Sequence, residues 1–294
     1  MAKPSQPKIL VAIPAYNEER YIGSVVLKAQ QYADEVIVLD DGSTDDTSEI
    51  ARLAGATVMR HEENKGYGAA IQSLLAEAKK KNPDILVLLD ADSQHNPDEI
   101  PSLIKPIISG DSDLVVGSRK QQKVKIPPYR RIGQRVLSYL SGILSGEKLS
   151  DSESGFRVFS KKAITVLQPR ESGMAVSAET IADAAEKGLK ITEVPISIEY
   201  TKDGSTLNPI RHGLGVLARI LAMISERRPL FFFGLGGSIL VAVGLIAGVR
   251  TLHILSVGGI MPTGMALLSV LLLTIGVFSI FTGIILHTLA GRKG

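Results

Sequence analysis

The 294-residue chain has no cysteine. A disulfide framework and thiol chemistry are therefore excluded, while the compartment is left open with only a slight weight toward the cytosol. A strong excess of charge is missing too: 33 Lys and Arg against 30 Asp and Glu leave +3. No Lys/Arg run with interleaved aromatics occurs, so no nucleic-acid partner is expected. No G-x-G-x-x-G follows the first apolar stretch, which disfavours a dinucleotide fold of the usual kind. The N-terminal apolar run Ile9–Ile13 is too short for a signal peptide, and Pro14 closes it.

What is present is a series of short apolar runs that end in polar turns. Ile85–Leu89 is a continuous apolar run, the pattern of a strand buried on both faces of a parallel sheet. It leads directly into Asp90-Ala91-Asp92-Ser93-Gln94-His95. In open α/β sheets ligands bind beyond the carboxyl ends of the strands, which places Asp90 and Asp92 in the expected crevice. Two close carboxylates repel unless a cation or proton lies between them. An all-oxygen set, with Gln94 adding a neutral oxygen, suits Mg²⁺ or Mn²⁺ shared with substrate phosphates. Taken alone, the same residues also read as an Asp-rich capping turn ahead of Pro97.

The remaining runs repeat the design. Lys8–Ile13 predicts a first strand, followed by a turn in which Asn17 caps a helix from Glu18. Glu35–Leu39 predicts a second strand ending in Asp40-Asp41-Gly42-Ser43-Thr44-Asp45, with Ser43 or Thr44 at the next helix cap. Further strands are expected at Thr57–Arg60, Asp113–Gly117 and Ser154–Ser160. Ile191–Tyr200 is expected at an edge because Pro195 interrupts it. Helices are expected from the Asn64–Gly68 turn to Lys80, from Pro97 to Ile108, and over Ala178–Lys187. Alternating strands and helices imply a parallel, doubly wound α/β sheet. Capping explains one or two strand-end carboxylates, but not the whole set.

Two amphipathic helices are expected, over Tyr129–Gly146 (with Arg130, Arg131 and Arg135) and from Pro209 to Arg228. A basic amphipathic helix suits a membrane surface, and the first of them suits the surface of a folded core equally well. Mean hydropathy is +0.18, and the excess lies after Pro229. Leu230–Val249 is long enough to span a bilayer. Thr251–Ala290 carries no charge with His neutral, so a turn is expected over Arg250–Pro262 and a second span over Thr263–Ala290. Arg227 and Arg228 precede the pair while Arg292 and Lys293 follow it, which puts both ends in the cytoplasm. The expected organisation is a catalytic domain over 1–207, an interface helix over 208–228 and a membrane hairpin over 229–294.

Pro14-Ala15-Tyr16-Asn17-Glu18-Glu19, Asp40-Asp41-Gly42-Ser43-Thr44-Asp45, Asp90-Ala91-Asp92-Ser93-Gln94-His95 and Gly117-Ser118-Arg119, in this order, resemble the motif series of family 2 glycosyltransferases. Ser154-Gly155-Phe156-Arg157 and the C-terminal hairpin narrow the resemblance to dolichol-phosphate mannosyl- and glucosyltransferases. The resemblance implies a GT-A fold, Rossmann-like with a mostly parallel sheet. It implies that Pro14, Ala15, Tyr16, Glu18 and Lys65 line the nucleotide site and that Asp41 contacts the base. Asp90 is then beside nucleotide and metal, with Asp92 and Gln94 on the metal. Arg119 and Arg131 meet phosphate groups, and Glu179 faces the acceptor. Relatives often carry Lys where Thr206 stands, and Arg211 or His212 are the candidates to replace it. The chain has no Trp, so it lacks the Gln-x-x-Arg-Trp signature of processive polysaccharide synthases.

The implied reaction moves a hexose from a nucleotide sugar, of UDP-glucose or GDP-mannose type, to a polyprenyl or dolichyl phosphate at the bilayer, with inversion. A phosphate monoester has its second pKa at about 6, so it needs little help from a base. Transfer to a lipid hydroxyl is the alternative and would need a base, with Glu179 or Asp151 as candidates. A membrane-tethered nucleotide-sugar sensor and a small flippase are the readings from other classes. Two spans without intramembrane charge make a poor translocation path.

Overall fold

The computed structural model describes residues 7–119, 128–198, 209–258 and 260–290. The chain divides into two compact units, Met1–Ile220 and Leu221–Gly294.

The first unit is built on a seven-stranded sheet in the order β3-β2-β1-β4-β6-β5-β7. Its strands are β1 (Ile9–Ala15), β2 (Glu35–Asp40), β3 (Thr57–Arg60), β4 (Ile85–Leu88), β5 (Leu114–Ser118), β6 (Arg157–Ser160) and β7 (Ile191–Pro195). Alternation across β4 explains its unbroken apolar run. Ile85, Val87 and Leu89 join the core on one face, with Val11, Ile22, Val25 and Leu103. Leu86 and Leu88 join the other, with Ile37, Ile71, Leu74 and Phe159. Helices α1 (Ile22–Ala29), α2 (Thr47–Leu53) and α4 (Ile100–Ile108) serve the first face. Helices α3 (Tyr67–Lys81), α6 (Lys161–Val166) and α7 (Val176–Glu186) serve the second. A turn of 3₁₀ helix at Pro97–Glu99 leads into α4, and α5 covers Pro128–Ser145.

Several expectations are corrected. The sheet is mostly parallel, as the resemblance implies, and the wholly parallel sheet implied by alternation is corrected because β6 runs antiparallel to both β4 and β5. β1 continues through Pro14 to Ala15. Its pairing with β4 ends at Ala12↔Leu88, so the residue without an N–H has one neighbour to satisfy rather than two. Asn17 does not cap α1: it is left-handed at φ 55°, and α1 begins at Ile22 without a side-chain cap. Neither Ser43 nor Thr44 caps α2, which begins at Thr47. The short helix α6 carried no periodic signal long enough to predict it. β7 lies at the sheet edge as expected and ends at Pro195. Tyr200 and the Lys202–Thr206 stretch lie outside the described residues.

Helix α8 (Pro209–Arg227) runs across the unit boundary, and the second unit contains α9 (Pro229–Gly258) and α10 (Thr263–Ala290). These two helices are closely apposed through small residues. A Cβ at Gly237 would fall 2.6 Å from the Gly276 carbonyl oxygen, and one at Gly276 would fall 2.7 Å from that of Gly237. Ser269 Oγ donates to the Gly244 carbonyl (2.7 Å), and Ser279 Oγ donates to that of Phe233 (2.9 Å). The turn expected over Arg250–Pro262 is helical as far as Gly258, since α9 carries Arg250 and Thr251 within it. Charge at Arg250 ends the apolar run without ending the helix, because the backbone ladder does not depend on side-chain polarity. Both helices are long and apolar enough to cross a membrane, with mean hydropathies of 2.3 and 2.4. The chain itself covers only 11% and 17% of those windows, unlike the core hairpin of a soluble protein.

Candidate active site

The loops that follow β1, β2 and β4 meet at one edge of the sheet and are held by backbone-to-side-chain bonds. Asn17 N donates to Ser43 Oγ (2.9 Å), Glu18 N to Thr47 Oγ1 (2.8 Å), and Thr44 N to Asn17 Oδ1 (2.8 Å). The left-handed turn at Asn17 thus fastens the first loop to the second. Pro14 and Ala15 are buried, while Tyr16 is exposed at the rim.

The neighbouring carboxylates Asp40 and Asp41 have different surroundings. Asp40 accepts from Ser43 N (2.8 Å) and Ser48 Oγ, and Arg60 lies 3.3 Å away. Burial pushes its carboxyl up, but these bonds and the Arg60 charge outweigh burial and hold it below the usual range. Asp41 accepts from His61 Nδ1 (2.6 Å), Lys65 N (3.0 Å) and Gly66 N (2.8 Å). It therefore organises the turn that opens α3. The Lys65 side chain is exposed, and its backbone makes the contact.

Beyond β4 the chain turns sharply at Ser93, which is left-handed at φ 60°. Such a conformation is strained for a residue with a Cβ and tends to mark functional turns. The turn brings Gln94 N back to Asp92 Oδ1 (2.9 Å). Asp90 Oδ1 accepts from the Tyr67 hydroxyl (3.0 Å), and Asp90 Oδ2 lies 3.6 Å from His95 Nδ1. Gly155 lies against the same carboxylate, where a Cβ would fall 2.1 Å from Asp90 Oδ2. Burial raises the Asp90 carboxyl, opposed by the Tyr67 bond and by Arg119 and Arg157. Asp92 is raised by burial and then by Asp90. Glu18 is pushed up to about 7 by burial, then by Asp92, Asp45 and Asp90. The edge therefore gathers more negative charge than it can solvate. His95 does not offset it, because burial lowers it to about 4 and leaves it neutral near pH 7.

Two arginines, Arg119 and Arg157, act on Asp90 with opposing charge. Arg119 grips Asp151 with both ends of its guanidinium, Nη2 to Oδ1 at 2.6 Å and Nε to Oδ2 at 2.5 Å. Burial raises Asp151, but the Arg119 bonds and charge hold it below the usual carboxylate range. Arg157 is fully buried and donates to the carbonyls of Ser154 (2.9 Å), Ser177 (2.8 Å) and Ser152 (2.6 Å). Glu179, in the first turn of α7, accepts from Arg170 N (2.9 Å) and Glu171 N (2.8 Å) and so pins the preceding loop. The side chains of Arg131, Arg211 and His212 lie outside the described residues.

A family profile for Glycosyl transferase family 2 matches residues 10–167. The chain belongs to glycosyltransferase family 2. The enzyme is 36% identical over 217 residues to the UDP-N-acetylglucosamine–dolichyl-phosphate N-acetylglucosaminyltransferase of Methanococcus voltae, covering 66% of this chain and 86% of that one. It is 28% identical over 223 residues to a dolichyl-phosphate hexose transferase of Haloferax volcanii, covering 75% and 95%. Its fold matches the Mycobacterium tuberculosis glucosyl-3-phosphoglycerate synthase crystallised with Mn²⁺, UDP and glucosyl-3-phosphoglycerate. That match has a TM-score of 0.60 at 27% identity and covers 76% of this chain and 80% of that one. The fold of this glycosyltransferase is accordingly GT-A-like.

Among the described residues no group of three or more His, Asp or Glu forms a ready metal cage. The donor set nevertheless fits a divalent cation carried with a diphosphate, since Mg²⁺ is commonly held by one or two carboxylates plus substrate phosphates. Asp90 and Asp92 offer such a pair, and their mutual repulsion is what a cation relieves.

Sequence reasoning passed over Tyr67 and the burial of Arg157. The dipeptide spacing around Tyr67 gives no sign that its hydroxyl reaches a carboxylate 23 residues away. A glycine immediately before a buried Phe-Arg pair was the one available sign of a close approach at Gly155. Gly155→Ala should force Asp90 aside, with sugar transfer falling at least about tenfold and stability by about 1–3 kcal/mol, the scale of overpacking. Parallel assay and thermal melts test this, and wild-type turnover in the variant contradicts the close approach.

Proposed function

We propose that this glycosyltransferase moves a hexose from a nucleoside diphosphate sugar to a polyprenyl phosphate of the dolichyl class, with inversion, at the cytoplasmic face of a membrane. The observation that carries the reading is the Asp90–Asp92 turn at the crevice of a GT-A-like sheet, in a chain that also has an apolar two-helix hairpin. The dolichyl-phosphate transferase activities for which the Methanococcus and Haloferax relatives are named support the lipid-phosphate acceptor. A UDP-sugar is favoured over GDP-mannose by the donor in the first of those names and by the UDP in the mycobacterial structure.

Asp92, Asp90 and Gln94 would hold Mg²⁺ or Mn²⁺ against the diphosphate. A bound divalent cation would supply stabilisation of the negative charge that develops on the departing nucleoside diphosphate. Pro14, Ala15, Tyr16, Glu18 and Lys65 line the nucleotide side in this reading, with Asp41 at the base. Arg119 and Arg131 contribute positive charge toward phosphate groups. The polyprenyl phosphate oxygen attacks the anomeric carbon, and the bond from that carbon to the diphosphate oxygen breaks.

The two carboxylates named as candidate bases, Asp151 and Glu179, support phosphate over hydroxyl. Asp151 is paired with Arg119 and held ionised, which makes it a weak base. Glu179 directs Oε2 at two backbone amides. A hydroxyl acceptor would require one of them to take a proton, whereas a lipid phosphate arrives largely ionised. In this reading the hairpin tethers the enzyme to the bilayer that holds its acceptor, while α5 buries Leu144 and Ser141 against the catalytic unit.

Asp92→Ala should reduce transfer by about 10²–10³-fold, the scale of losing one transition-state contact, with the circular dichroism spectrum unchanged. A folded Asp92→Ala enzyme with wild-type turnover, or wild-type turnover after complete removal of divalent ions, contradicts the metal assignment.

Topology is checked by single cysteines, which the cysteine-free chain makes unambiguous. Cysteine at Gly294 should label only after the membrane is opened, and cysteine at Gly258 should label from outside. External labelling at Gly294 overturns the orientation.

A further inference from the structure

We propose that Tyr67 is a positioning residue for Asp90, so that its hydroxyl sets the affinity with which the active-site crevice takes a divalent cation. The inference rests on the glycosyltransferase reading above and adds a residue to it.

The side chains around Asp90 leave few ways to orient its carboxylate. Tyr67, the first residue of α3, donates its hydroxyl proton to Oδ1 at 3.0 Å. On the Oδ2 side the chain approaches so closely at Gly155 that no Cβ fits. His95 Nδ1 is 3.6 Å from Oδ2, beyond hydrogen-bond distance, and neither His95 ring nitrogen has a hydrogen-bond partner among the described residues. The Tyr67 hydroxyl is therefore the one side-chain donor bonded to Asp90 among the described residues. Gly155 limits where the carboxylate can go, and Tyr67 fixes how it is turned.

Tyr67 is itself held in place. Its neighbours Gly66 and Gly68 pack under the loop that Glu179 pins: Gly68 N donates to the Ser172 carbonyl (2.8 Å), and a Cβ at Gly68 would fall 2.2 Å from the Glu171 carbonyl oxygen. Gly66 N donates to Asp41 Oδ2 (2.8 Å). The ring lines a small partly open cavity with Ile71, Leu88, Gly155, Arg157 and Phe159. A phenol hydroxyl with an ordinary pKa of about 10 is protonated at working pH, so it donates to the carboxylate. Asp90 is only partly buried, and a carboxylate oxygen there that loses its Tyr67 donor loses the bond that fixes its rotation. Precise first contacts to a metal depend on such supporting bonds.

Tyr67→Phe removes the hydroxyl and keeps the ring and its packing. Mn²⁺ binding is measured by electron paramagnetic resonance on the full-length protein in detergent, with UDP present, for wild type, Tyr67→Phe and Asp92→Ala. Tyr67→Phe should bind Mn²⁺ about tenfold more weakly than wild type, the lower end of the usual loss for a supporting bond. Its transfer activity should be partly restored at high Mn²⁺, with KM for the lipid acceptor unchanged. Equal Mn²⁺ affinity in Tyr67→Phe and wild type overturns the inference, and a lowered melting temperature with unaltered affinity assigns Tyr67 a purely structural role. If neither wild type nor Asp92→Ala binds Mn²⁺, the metal reading fails instead, which separates the two outcomes.

Discussion

Repulsion among carboxylates is the constraint on which the catalytic unit is built. Asp90, Asp92, Glu18 and Asp45 converge at one sheet edge, and each raises the proton affinity of Glu18 or of one another. Left in water, such groups would separate. Here the strand ends and loop bonds hold them together: Asn17 to Ser43 and Thr44, Glu18 N to Thr47, and Gln94 N to Asp92. The apolar cores on both faces of β4 make that edge rigid. The energetic cost of assembling the cluster is met by packing elsewhere, which is common at sites that must bind a cation and a polyphosphate.

The positive groups are arranged with equal economy. Arg157 is buried and committed to three backbone carbonyls. It adds positive charge beneath Asp90 without leaving the core. Arg119 is nearer the surface but gripped by Asp151. If the acceptor is a phosphate, as proposed, the obstacle is bringing phosphate toward phosphate rather than generating a nucleophile. An enzyme acting on a hydroxyl would need a carboxylate with raised proton affinity on the acceptor side. Asp151, the carboxylate tied to Arg119, is instead held ionised, while nearby Glu153 is raised by burial, opposed first by Arg157.

Much of this was legible in the sequence where a local pattern has one physical cause. The run Ile85–Leu89 is apolar throughout because both its faces are buried, and that marked β4 and the carboxylates after it. What the pattern missed depends on distant partners. The four-residue β6 carries no mark of direction, so its antiparallel insertion between β4 and β5 was not foreseen. Asn17 has the chemistry of a helix cap, but Thr44 and Ser43 engage it across the crevice. Tyr67 looked like one more turn residue until the fold placed Asp90 beside it. Arg250 interrupts hydropathy but not the helix, which is why α9 runs on into the expected turn.

The central claim is that the acceptor is a lipid phosphate rather than a lipid hydroxyl. The most direct measurement offers the purified full-length enzyme a panel of UDP- and GDP-sugars with two acceptors of identical chain, polyprenyl phosphate and the corresponding polyprenol. The account predicts sugar transfer to the phosphate with at least one nucleotide sugar and none to the alcohol. Transfer to the polyprenol at a comparable rate, with the phosphate inert, would contradict it.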